Sequence, residues 1–218
     1  MTDTKVKICC MGSVEEARIA IELGASAIGL VSRMPSGPGP IEEELIAEII
    51  SAVGDSVETF LLTCETTADA IIAQQRRTGV STLQLVDAVE PRAHETIRAA
   101  LPGVRIVQVI HVTGDNSIVD AVNGAKTADA LLLDSGNPSL AVKELGGTGR
   151  RHDWSISRAI VEASSVPVYL AGGLNPSNVR EAIKTVRPYG VDVCSGVRTE
   201  GKLDRSKAAA FFAAVTVD

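Results

Sequence analysis

The chain has 218 residues, 45% hydrophobic content and a formal net charge of −6, enough for one sizeable core. No run of Lys or Arg and only 3% aromatic residues set a nucleic-acid partner aside. No apolar run reaches the roughly 18 residues that span a bilayer, and "MTDTKVK" lacks the apolar stretch of a secretory signal, so a cytoplasmic protein away from membranes is expected.

In chain order, short apolar runs alternate with amphipathic stretches. The runs are "VKICC" (6–10), "SAIGLV" (26–31), "VETFLL" (57–62), "TLQLV" (82–86), "VRIVQVI" (104–110), "ADALLL" (128–133), "VPVYLA" (166–171) and "GVDVC" (190–194). Ser13 and Glu16 form an S-x-x-E capping box, and Gly24 closes that helix. Pro91 suits a first helical turn, Asn175-Pro176 reads as N-cap then N1, and a last helix is expected over about 205–215. Continuous apolar strands separated by helices mean parallel β covered on both faces. Eight such units predict a (β/α)₈ TIM barrel, with residues 1–218 as a single domain. A doubly wound open sheet is the second choice.

A barrel of this kind carries its chemistry at the C-terminal ends of the strands. Those ends hold Cys9, Cys10, Cys64, His111, Asp134, Gly172, Gly173 and the stretch from Cys194 to Gly196. Glycine turns "GGTG" (146–149), "AGG" (171–173) and "SG" (195–196) let backbone N–H groups approach an anion. The last two follow strands seven and eight, where this fold often binds phosphate. Gly172, Gly173, Ser195 and Gly196 are therefore candidate phosphate ligands. Asp134, ending "ALLLD", is either a loop anchor or a general acid with a burial-raised pKa.

Alternation along the first strand puts Lys7 and Cys9 on one face and turns Cys10 away. A lysine inside a barrel is costly unless paired or used. It would favour the thiolate of Cys9, while Cys10 reads as a small buried hydrophobe. Strand eight closes the barrel against strand one and carries Asp192, so Lys7 and Asp192 are expected to meet inside. The four cysteines show neither C-x-x-C spacing nor the density of a disulfide framework. A reducing compartment is the default, and a metal or redox centre built from these cysteines and His111 is disfavoured because no pair has zinc-type spacing.

Together these motifs resemble the phosphoribosylanthranilate isomerase family. The resemblance rests on "KICC" at the first strand, "LLLDSG", "GGTGRRHDW", "LAGGLNPSNV" and "VDVCSGV", in that order over nearly the whole chain. It implies a barrel without metal or organic cofactor, working on a small phosphorylated aminosugar in tryptophan biosynthesis as a monomer or homodimer. It also implies Cys9 as general base and Asp134 as general acid; Lys7, Gly147 and Asp192 are the supporting residues expected around them. The chain departs from the family pattern at four places. Cys10 replaces a glycine, Val86 a histidine, and Arg198 a glutamate. The loop "SRMPSGPGP" lacks the arginine that faces the anthranilate carboxylate, which leaves Arg33 as the nearest substitute. A paralogue that isomerises or merely binds another sugar phosphate stays open as the alternative.

Overall fold

Eight strand-and-helix pairs follow one another in a computed structural model that describes residues 4–216. β1 (Lys5–Ile8) leads to α1 (Val14–Glu22), β2 (Ala27–Val31) to α2 (Glu43–Val53), and β3 (Glu58–Thr63) to α3 (Ala68–Thr78). β4 (Thr82–Leu85) precedes α4 (Ala93–Ala100), β5 (Arg105–His111) precedes α5 (Asn116–Gly124), and β6 (Ala130–Asp134) precedes α6 (Trp154–Ala163). β7 (Val168–Leu170) and α7 (Val179–Val186) come before β8 (Gly190–Val193). A small ribbon, β9 (Arg198–Thr199) with β10 (Lys202–Leu203), then leads to α8 (Arg205–Thr216). The strands pair in parallel from β1 to β8, and β8 closes on β1. This is the (β/α)₈ barrel read from the apolar runs.

Local ends differ from the sequence reading in instructive ways. Ser13 caps α1 through the Glu16 N–H, but the Glu16 carboxylate accepts from Gly12 rather than from the cap itself. Pro91 stands in the turn ahead of α4, not in its first turn. Asn175 begins the lead-in to α7, since its carbonyl already accepts from the Val179 N–H. The first strand stops at Ile8 because Cys10 has φ +64 and cannot continue an extended chain.

Two apolar layers hold the barrel. Ile28, Leu61, Leu83 and Leu131 face the helices, while Phe60, Val107, Leu132 and Tyr169 fill the inside. Phe60 and Tyr169 meet edge-on with ring centroids 5.9 Å apart. Gly190 leaves room for that packing, because a Cβ there would stand 2.7 Å from the Tyr169 ring.

Above these rings lies Lys7, with no exposure to solvent. Closure sets Lys7 opposite Asp192 in register, and Nζ lies 2.9 Å from Asp192 Oδ1. The approach is not aligned along an N–H, so this is a contact ion pair rather than a well-formed hydrogen bond. Nζ also sits 5.2 Å from the Phe60 centroid, within cation–π range.

Breaking a buried pair by removing one partner costs about 3–5 kcal/mol, because the other charge is left uncompensated. Lys7→Met is expected to lose that much stability in chemical denaturation, and Lys7→Met with Asp192→Asn to regain most of it. Equal losses in the single and double variants would mean that the two charges are not coupled.

Candidate active site

The ends of β1, β6, β7 and β8 bring the candidate residues to one pocket. Cys9, Asp134, Gly147, Gly172, Gly173, Asp192 and Ser195 all line it. Lys7 lies beneath the floor. Gly196 lies just behind the wall, where its lack of a side chain lets the turn after β8 pack against the Leu174 carbonyl.

Cys9 is buried and follows β1 directly, held to β8 by its N–H bond to the Val193 carbonyl at 2.8 Å. Gly29 on β2 decides what stands beside it. A Cβ at Gly29 would lie 2.8 Å from Cys9 Sγ and 3.0 Å from Lys7 Nζ. The thiol and the ammonium therefore share the space that a side chain at position 29 would fill. Nothing in "SAIGLV" singles this glycine out, because the clash partners are on another strand.

Burial pulls the Lys7 ammonium down, but Asp192 and then Cys9 outweigh it, and the net shift is upward. Burial pushes the Asp192 carboxyl up even with Lys7 opposing. The two partners pull in different senses. We take Lys7 as charged, because its net shift is upward and Asp192 has no other cation to oppose its burial. Asp134 lies two strands round from β8, half-buried at the rim. Burial pushes its carboxyl up, the 2.7 Å hydrogen bond from the Ser135 N–H opposes, and Asp192 adds to the rise. The pocket thus sets a thiol beside a fixed cation and a proton-retaining carboxyl across from it.

The glycine-rich loop ties the pocket's sides together. A Cβ at Gly146 would stand 2.6 Å from Asp134 Oδ2, and one at Gly147 would stand 2.5 Å from Pro38 Cδ. The backbone at these positions therefore lies directly on the acid and on the loop after β2. Gly172 and Gly173 take φ +85 and +64, and their N–H groups donate to no backbone or side-chain acceptor among the described residues. Those donors, with Ser195 nearby, form a concavity suited to an anion.

Two expectations need correction. Arg33 does not enter the pocket. Ser32 Oγ is bonded to the Leu62 carbonyl and Cys64 Sγ to the Arg33 carbonyl, which ties the backbone to β3 and leaves the Arg33 side chain in solvent. Cys10 does not point away from Cys9's side of the barrel. Strand alternation ends at Ile8, and the positive φ at Cys10 turns its thiol into the pocket, against Cys194. Sequence reasoning also missed Gln84 and Arg198. Gln84 lies in the pocket floor with Oε1 unpartnered. Arg198 donates to the Cys9 and Cys10 carbonyls and pairs with Glu16 at 3.1 Å. Its signal was present, as an arginine where the resemblance expects glutamate, but its partners lie at the far end of the chain.

The model of the family described as N-(5'phosphoribosyl)anthranilate (PRA) isomerase matches residues 6–214. N-(5'-phosphoribosyl)anthranilate isomerase 2 of Methanosarcina mazei is 37% identical over 209 residues, covering 95% of this chain and 92% of the relative. The structure of N-(5'-phosphoribosyl)anthranilate isomerase from Pyrococcus furiosus superposes with a TM-score of 0.81 at 29% identity, over 97% and 98% of the two chains. A phosphoribosyl anthranilate isomerase solved in complex with reduced 1-(o-carboxyphenylamino)-1-deoxyribulose 5-phosphate has a TM-score of 0.78 at 27% identity, with 97% and 98% covered.

The raised Asp134 carboxyl has a stability consequence. Between its unfolded and folded pKa values, the folded state holds a proton that the unfolded state has lost. Stability from this group is therefore full below the ordinary range and falls as pH rises through the folded value. Asp134→Asn should melt above the wild type at neutral pH, by about 2–4 °C for each kcal/mol relieved. The gain should vanish below about pH 4. A lower melting temperature at neutral pH would contradict the burial argument.

Proposed function

The chain belongs to the N-(5'-phosphoribosyl)anthranilate isomerase family, and on that premise we propose how its own residues carry out the Amadori rearrangement of N-(5-phosphoribosyl)anthranilate. The product is the 1-deoxyribulose 5-phosphate ketose of tryptophan biosynthesis. The reaction is an aldose–ketose isomerisation that needs only proton transfers, and we assign it no cofactor. Asp134, which holds its proton above the usual carboxylate range, protonates the ribose ring oxygen. The ring opens to a Schiff base. Cys9, as thiolate, removes the proton from ribose C2, and the enolamine tautomerises to the ketone. Lys7 steadies the thiolate and Asp192 keeps Lys7 charged. Gly172, Gly173, Ser195 and Gly196 hold the phosphate.

The observation that carries this reading is the placement of Cys9 Sγ and Lys7 Nζ against Gly29, with Asp134 on the other side of the same pocket. Each proton transfer contributes roughly 10²–10⁴-fold to such a reaction. All the assigned groups come from one chain, so a monomer or a homodimer in the cytoplasm serves equally. We treat residues 1–218 as one domain. The aglycone end is built differently from the phosphate end. Met34, Ser36, Gly37 and Pro38 line it, and no Lys or Arg side chain is among the lining residues described. Backbone N–H groups of Gly37 and Gly39, both at positive φ, are the donors we assign to the anthranilate carboxylate.

Cys9→Ala and Asp134→Asn are each expected to lower turnover at least about a hundredfold with the fold intact, and neither should rescue a tryptophan auxotroph lacking this isomerase. Wild-type turnover in either variant would remove that residue from the chemistry. Pro38→Arg is expected to lower KM by about tenfold or more through a charge-assisted contact, with turnover little changed. An unchanged or higher KM would show that the carboxylate lies elsewhere.

A further inference from the structure

Cys10 and Cys194 have no part in the proton transfers, yet they meet at the pocket wall. Their sulfurs lie 2.8 Å apart, inside ordinary nonbonded contact and beyond the covalent length of about 2.05 Å. They are 184 positions apart in sequence and come together only because β8 closes on β1, with Ile8 opposite Val193. The backbone at Cys10 makes the contact more telling. Its φ of +64 is a conformation that suits glycine and strains other residues. Three features hold the thiol there. Arg198 grips the Cys9 and Cys10 carbonyls. Gly39 gives way, since a Cβ on it would stand 2.6 Å from Cys10 Cβ. Pro38 offers its carbonyl to the Cys10 thiol at 3.7 Å. Both cysteines line the pocket, within reach of a small oxidant.

We propose that Cys10 and Cys194 form a reversible disulfide on exposure to hydrogen peroxide, making the mouth of the barrel a site of oxidative modification. The Cys194 thiolate attacks one peroxide oxygen. An S–O bond forms, the O–O bond breaks, and the departing hydroxide takes a proton to become water. The Cys10 sulfur then attacks the sulfenic sulfur. The S–S bond forms, the S–O bond breaks, and the oxygen leaves as water with the proton of Cys10. Two thiols are oxidised and one peroxide is reduced to two waters. An external dithiol reverses the step by exchange.

The charges favour this order. The hydrogen bond with Cys10 and the nearby Arg198 hold Cys194 below the ordinary thiol range, although burial opposes. The same bond, then Cys9 and burial, push Cys10 well above it. With both protonated, Cys194 donates to Cys10; once Cys194 ionises, Cys10 turns from Pro38 to donate to the thiolate. Cys194 is thus the nucleophile that meets peroxide. Drawing the sulfurs to bonding distance shifts Cys9 and Ser195, their chain neighbours. A displacement of about 1 Å at such a site costs on the order of a hundredfold in rate. This last consequence rests on the functional reading above; the disulfide does not.

The purified chain is treated with hydrogen peroxide, alkylated, digested without reductant and mapped by mass, with fragmentation to separate Cys9 from Cys10. The expected result is one Cys10–Cys194 cross-link, removed by dithiothreitol and formed equally in Cys9→Ala. Cys10→Gly, relaxed at its positive φ, should fold and form no link. Oxidation at Cys9 alone, a Cys9–Cys10 link, or no link at all would overturn the proposal. The cross-linked wild type should turn over isomerase substrate at least about tenfold more slowly and recover on reduction. Unaltered turnover in fully cross-linked protein would overturn the regulatory part. An inactive reduced protein that still cross-links would count against the isomerase reading and not against the disulfide.

Discussion

An ammonium group with no access to water sets the terms for the whole barrel mouth. Lys7 lies inside β1, and a buried cation is tolerated only beside compensating charge. Asp192 supplies it because barrel closure places the two in register. The ring of Phe60 below, and Gly29, whose missing side chain leaves room for the ammonium and the Cys9 thiol, complete the enclosure. The ammonium shares the space at Gly29 with the sulfur of Cys9. A cost in stability is thereby turned into a fixed electrostatic feature beside a nucleophilic atom, and the same burial raises the carboxyl of Asp134.

The loops finish what the strands begin. Backbone at Gly146, Gly147 and Gly173 packs where a side chain would collide with Asp134, Pro38 or Gly149. Each close approach closes the pocket from a different side and leaves main-chain donors facing inward. Arg198 performs a related service at the strand end. It collects the carbonyls of Cys9 and Cys10 as the chain turns out of β1, and Glu16 neutralises it. The turn that this grip stabilises brings Cys10 to Cys194. The thiol pair and the catalytic thiol are thus adjacent consequences of one strand terminus.

The fold was legible because eight apolar runs alternate with helix signals, and little but a closed parallel sheet buries them all. The meeting of Lys7 with Asp192 was legible too, since strand parity and closure suffice to place both inside. Parity fails two residues past the strand. Alternation puts Cys10 on the wrong side, because a positive φ at a cysteine leaves no mark in the sequence. Arg33 is the nearest substitute for the missing arginine only if its loop folds back, and Ser32 and the Cys64 thiol instead tie its backbone to β3. Gly29 and the Arg198–Glu16 pair depend on contacts between distant segments, and no local pattern announces them.

The central claim is that the buried pair exists to position the reacting groups and not merely to hold the barrel closed. Turnover of the doubly substituted Lys7→Met, Asp192→Asn protein tests it most directly, measured under conditions where that protein is fully folded. The account predicts a loss of at least about a hundredfold in turnover despite recovered stability. Turnover at the wild-type level in that protein would contradict it, and would reduce the pair to a structural feature of the core.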